Sequence, residues 1–155
     1  MPTARLKGRP FRRDVQPRRR KGPPGLVDLQ DEGPARLVRL VRSGLPFSRL
    51  ARFQKAAGLP WEEIARWVGI PMRTLTRRQH QGRLRRDESD RLVRAERLVA
   101  KATDLFEADV SAAMRWLQEP QAALGGERPL ELASTEVGSR QVEDLIAQLD
   151  HGVFP

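Results

Sequence analysis

The stretch "EIARWVGIPMRTLTRRQHQG", Glu63 to Gly82, ends in a dense run of side chains able to recognise another molecule. Arg73, Thr76, Arg77 and His80 follow at spacings of three, one and three, which on a helix gathers them on one face. Arg73 and Arg77 can each donate two parallel hydrogen bonds to a guanine edge, and Met72 or Thr76 can touch a thymine methyl. Thr74, Arg78, Gln79 and Arg83 read as phosphate contacts, which set position without reading sequence. Catalytic chemistry is not visible. The chain has no cysteine, so thiolate metal sites and disulfides are excluded. His80 and His151 stand 71 positions apart, without the close pairing a metal site needs. Glu62 and Glu63 suit the positive end of a helix better than an acid/base pair. "LGGERP" lacks the Lys-Ser/Thr and the preceding strand of a phosphate loop. No catalytic residue, cofactor or metal ligand is assigned.

A groove-reading helix needs a partner helix at a steep angle, a small residue where the two cross, and a turn with backbone freedom. Ala65 supplies the small residue, Gly69 the turn, and Leu75 points back into the joint. Pro71 is tolerated because it falls where the second helix starts. Met72 to Gln81 is then the helix for the major groove. One such helix reads few base pairs, which implies a homodimer on a two-fold site.

The rest of the chain is expected to be all-α. A short helix runs from Ala35 to Gly44, and Ser48 can cap a second, with Leu50, Phe53 and Ala57 on one face. Trp61, Ile64, Ala65 and Val68 mark a third. Asp87 can cap a longer helix whose seam is Leu92, Ala95, Val99, Ala102 and Phe106. Val110, Ala113, Met114 and Leu117 define another, a short turn follows at Leu130 to Ala133, and Thr135 opens the last, with Val142, Leu145, Ile146 and Leu149 inward. Glu88 and Asp90 among Arg85, Arg86 and Arg91 read as a solvated, salt-bridged stretch.

Charge divides the 155 residues. Residues 1–25 carry nine Lys/Arg and one acid, net +8; residues 26–102 carry 17 and 9, again +8; residues 103–155 carry 3 and 10, net −7. A basic front suits a polyanion and an acidic rear repels one, so two surfaces for two partners are expected. The organisation is a basic disordered tail over 1–34, with five prolines and no apolar period before residue 26, a helix-turn-helix module over 35–101, and a second helical module over 102–155. The tail reads either as solubilising or as an arm that adds contacts to phosphates. No charge-free run exceeds seven residues, so no membrane span or signal-peptide core is visible, and the lack of cysteine fits a reducing cytoplasm.

In the rear module, Trp116 reads as core or as an interface anchor. Gly125 and Gly126 read as a tight turn, and Val153-Phe154 as an apolar end that folds back or enters a partner's groove. A basic partner pocket would complement Asp144 and Asp150.

"SGLPFSRLARFQKAAGLP", "RTLTRRQHQGRLRRDESDRLVRAERLVAKATDLF" and "AMRWLQEPQAALGGERPLELASTEVGSRQVEDLIAQLDHGVFP" together resemble the Xre/MbcA/ParS family of antitoxins, from about Val41 to Phe154. The resemblance implies a type II toxin–antitoxin pair. The partner would be a RES-domain toxin that consumes NAD⁺, the rear module would obstruct its active site, and the helix-turn-helix would repress the shared promoter. Carried over residue by residue, the toxin-binding module includes Trp116, Leu117, Pro120, Leu124, Gly125, Gly126, Pro129, Leu130, Thr135, Gly138, His151, Gly152, Val153 and Phe154, and the charge argument adds Asp150. "LFEAD" lacks the glycine that often follows Leu-Phe in the family, and Gln121 stands where asparagine is common. The reading from another class is a stand-alone helix-turn-helix regulator whose rear module dimerises or senses an effector. An enzyme or a chromosome-partitioning adaptor is a third, suggested only by a family name.

Overall fold

The computed structural model describes residues 32–152. The tail up to Asp31 and the terminal Val153 and Phe154 lie outside them. Among the described residues there are eight α-helices, one 3₁₀ turn and no strand. The helices are α1 (Pro34–Ser43), α2 (Phe47–Ala57), α3 (Trp61–Trp67), α4 (Met72–Gln81), α5 (Arg86–Leu105), α6 (Val110–Gln118), α7 (Pro129–Leu132) and α8 (Glu136–Asp150).

Proline sets several helix starts. Pro34 occupies the first turn of α1, and Pro46, Pro60 and Pro71 stand at the N-caps of α2, α3 and α4 with extended backbone. Ser48 therefore lies inside α2 rather than capping it, because the helix already begins at Phe47. Asp87 likewise falls inside α5. There the carboxylate of Glu88 accepts the backbone N–H of Arg85 at 2.7 Å and closes the helix start. Thr135 caps α8 as its sequence position predicts, accepting from the Gly138 N–H at 3.0 Å.

α5 is the axis of the molecule. Leu92, Ala95, Val99 and Ala102 are buried along it as their spacing requires, with Phe106 half-buried beyond its end. One apolar cluster joins Leu50, Phe53, Ile64 and Val68 from the front to Ala113, Leu117, Val142 and Ile146 from the rear. The boundary drawn from charge, after residue 101, falls within α5, so the front and rear halves meet on one helix. Glu143 fastens α8 to that axis, accepting from Arg97 at 2.9 Å and Lys101 at 2.7 Å.

α5 ends in a paired closure: Ala108 N–H reaches Thr103 O at 2.9 Å and Glu107 N–H reaches Asp104 O at 3.2 Å. Glu107 and Ala108 take φ of 54° and 75°, the left-handed region where glycine is favoured.

Candidate nucleic-acid and partner interfaces

α3, the turn and α4 form the helix-turn-helix. Ala65 is buried at the joint, with Leu75 of α4 packed into it. Gly69 takes φ +62°, and the Ile70 N–H returns to Ala65 O at 2.9 Å, closing α3. An L side chain at residue 69 would be strained in that conformation. Arg91 clamps the turn from outside, donating to Val68 O at 2.6 Å and Gly69 O at 3.4 Å.

α4 has two faces. Met72, Arg73, Thr76, Arg77 and His80 are exposed together, and Thr74 is partly exposed. Arg73, Arg77 and His80 make no bond to another side chain among the described residues. The side chain of Thr76 is partly occupied, donating back to Met72 O at 3.2 Å.

Arg78 differs from its expected place among the phosphate contacts. It lies three residues after Leu75, on the inward side of α4, and is only 3% exposed. Its guanidinium meets Glu88 in two bonds of 2.7 and 2.9 Å and Gln81 Oε1 at 2.7 Å. Glu88 is correspondingly buried, not solvated. Burial pushes the Glu88 carboxyl up, but the bonds from Arg78 and the Arg85 backbone outweigh it and hold the group below the ordinary carboxylate value. Arg83 remains exposed while donating to Ser43 O and Gly44 O, each at 3.1 Å.

A second buried pair joins α2 to α5. Arg49 of α2 holds Glu96 of α5 through bonds of 3.0 and 2.9 Å and reaches Glu32 at 3.2 Å. Sequence reasoning missed Arg49, Glu96, Arg78–Glu88 and the Arg91 clamp. The usable signal was position: Arg49 is adjacent to Leu50, and Arg78 follows Leu75 by three, both on buried helix faces.

At the rear, Trp116 is half-buried against Phe106, with ring centroids 6.2 Å apart. Gly125 and Gly126 have φ of +70° and +84°, and Gly126 N–H bonds Gln121 O at 3.0 Å, a tight turn. Leu124, Leu132 and Leu145 floor a groove of about 410 Å³ with Asp144 on its wall. Asp150, His151 and Gly152 are exposed at the end of α8. His151 Nδ1 lies 2.7 Å from Ala147 O, which assigns the proton to that nitrogen. Burial and then the charge of Asp150 raise the carboxyl of Asp104 above the ordinary aspartate value. No group of three or more His, Cys, Asp or Glu among the described residues could hold a metal ion.

An all-α chain with an exposed basic helix in a helix-turn-helix, and an acidic helical module behind it, defines a DNA-binding regulator of two-module type. Residues 36–97 match the family model of the antitoxin Xre-like helix-turn-helix domain, and residues 101–152 match that of the antitoxin Xre/MbcA/ParS C-terminal toxin-binding domain. The chain is 40% identical to an antitoxin Xre of Yersinia enterocolitica over 119 residues, covering 76% of this chain and 80% of the relative. It is 32% identical to an antitoxin Xre of Photorhabdus laumondii over 115 residues, covering 74% and 78%. A Prs ADP-ribosylating antitoxin of Sphingobium sp. shares 24% identity over 135 residues, covering 81% and 85%. The chain belongs to the Xre/MbcA/ParS antitoxin family: it is a type II antitoxin with a helix-turn-helix, and not an enzyme.

Proposed function

We propose that this antitoxin neutralises a RES-domain, NAD-degrading toxin by covering its active site, and represses its own operon as a homodimer on operator DNA. Residues 35–101 serve the operator, 102–155 the toxin, and the tail over 1–34 adds sequence-independent contacts. The observation that carries this reading is the separation of two surfaces. Arg73, Arg77 and His80 stand free on α4, while the module after residue 102 carries net −7. Arg73 and Arg77 take guanine edges, Met72 and Thr76 apolar base contacts, and Thr74 and Arg83 phosphates. On the toxin side, Trp116, Leu124 and the 125–126 turn shape the docking face. Asp150, His151, Gly152, Val153 and Phe154 form its leading end. An acidic face complements a pocket built for dinucleotide phosphates. No described helix is long and apolar enough to cross a membrane.

The test is co-expression with the neighbouring reading frame. That frame alone should be toxic and deplete NAD, and this chain should restore growth. Toxicity without relief would defeat the antitoxin role for that pair. The name of the Sphingobium relative carries ADP-ribosylation. Modified protein without bulk NAD loss would therefore place the partner with that chemistry instead of the RES class.

A further inference from the structure

α1 belongs to the helix-turn-helix domain but lies outside its α3–turn–α4 motif, and it has no fully buried residue. Its ten residues include Arg36, Arg39 and Arg42 and no acid. At the helical repeat these three span an arc of about 120°, opposite Leu37, Leu40 and Val41. The apolar side is the one turned towards α5, because Leu37 and Val41 line a groove with Val93 and Leu40 packs on the core. All three arginines are exposed, and none makes an ion pair among the described residues.

Three of the four arginines of α5 are treated differently, Arg86 at its start being exposed and unpaired among the described residues. Arg91 faces Asp87, Arg94 faces Asp90 and Glu136, and Arg97 faces Glu143. Like charges three apart on one helix repel. Arg42 shares the groove with Asp87 and Asp90 but pairs with neither, so a ridge with no ion pair among the described residues gains most from an external polyanion.

The ridge also adjoins the reading helix. Arg83, two residues past the end of α4, donates to Ser43 O and Gly44 O at the end of α1. Leu84 N–H bonds Leu45 O at 2.8 Å, and Phe47 N–H bonds Gly82 O at 3.0 Å. The chain leaving α4 is thus stitched to the chain leaving α1. A duplex seated on α4 brings its backbone to this junction.

We propose that α1 is a second DNA-contacting element, with Arg36, Arg39 and Arg42 forming a ridge that takes the phosphate backbone flanking the site read by α4. This rests on the operator-binding reading above. The ridge adds affinity and footprint but no sequence preference, since phosphates carry none.

The experiment measures the affinity of the full chain for promoter duplex and for random duplex across a salt series. Arg36→Ala/Arg39→Ala/Arg42→Ala should make the log–log salt slope shallower by about 2.7 per chain, at about 0.9 per lost phosphate contact. The promoter-to-random preference should stay at the wild-type value. Arg36→Lys/Arg39→Lys/Arg42→Lys should retain the steep slope. Should the alanine variant lose helix by circular dichroism, Arg39→Ala alone, with a slope change of about 0.9, carries the same test. An unchanged slope overturns the proposal, and so does loss of promoter preference, which would make α1 part of the reading. A wild-type chain that binds no duplex would instead sink the operator reading itself. Weakened binding to anionic vesicles, with duplex binding intact, would assign the ridge to lipid and overturn the proposal.

Discussion

Arg78 and Glu88, ten residues apart in sequence, meet in a two-bond ion pair that ties the groove-facing helix to the first turn of α5. The same Glu88 carboxylate accepts the Arg85 backbone N–H, so one buried acid anchors α4 and closes the start of α5. Removing either partner strands the other charge in the core. Arg78→Ala or Glu88→Gln should therefore cost about 3 kcal/mol of stability, read as a lower urea midpoint. Arg78→Met with Glu88→Leu should cost less than either single change, because it leaves no buried charge unpaired. A single variant as stable as wild type would show that the pair is open to water.

Stability should fall in acid, and two carboxylates set the window. Burial raises both Glu88 and Glu143, but bonds from Arg78 and Arg85 in the first case, and from Lys101 and Arg97 in the second, bring each below the ordinary 4.5. Unfolded chains bind these protons more tightly than the fold does. The stabilisation is thus complete above about pH 4.5 and drains away as pH falls through the lowered values. Asp104 works in the opposite direction, since its raised value favours the protonated fold. Thermal melts from pH 7 to pH 3 should show a decline starting below 4.5, and Glu143→Gln should flatten part of it. A decline unaltered by that substitution would contradict the assignment.

Glu107 and Ala108 hold left-handed backbone that costs an L residue about 1 kcal/mol relative to glycine. Glu107→Gly should raise stability by roughly that amount, against the usual expectation for adding glycine. Equilibrium unfolding of Glu107→Gly and Ala108→Gly measures it, and loss of stability in both would show that the α5–α6 turn is not strained.

How much was legible in the sequence follows from the range of each signal. The α5 seam from Leu92 to Ala102 and the Ala65–Gly69–Leu75 joint rest on periodicity and local sterics, and both appear as their spacing implies. Ser48 and Asp87 look like caps in isolation, but Pro46 and Glu88 settle those helix starts one or two residues away. Arg49–Glu96 spans 47 positions, and a charge looks the same in sequence whether water or a distant acid faces it. Arg78 was misplaced for that reason. The exposed face of α4 needed only its own spacing, while the floor of the Leu124 groove required α8 to arrive from elsewhere in the chain.

The central claim is that DNA and toxin are held by separate surfaces of one molecule. The most direct measurement compares promoter binding and toxin neutralisation in the wild type, in Arg73→Ala/Arg77→Ala, and in a chain truncated before Asp150. The double variant should lose promoter preference, at about 1–3 kcal/mol for each guanine contact, and still neutralise. The truncation should bind the promoter as wild type does and fail to neutralise. Simultaneous loss of both activities in either variant, or competition of duplex and toxin for one patch, would contradict the account.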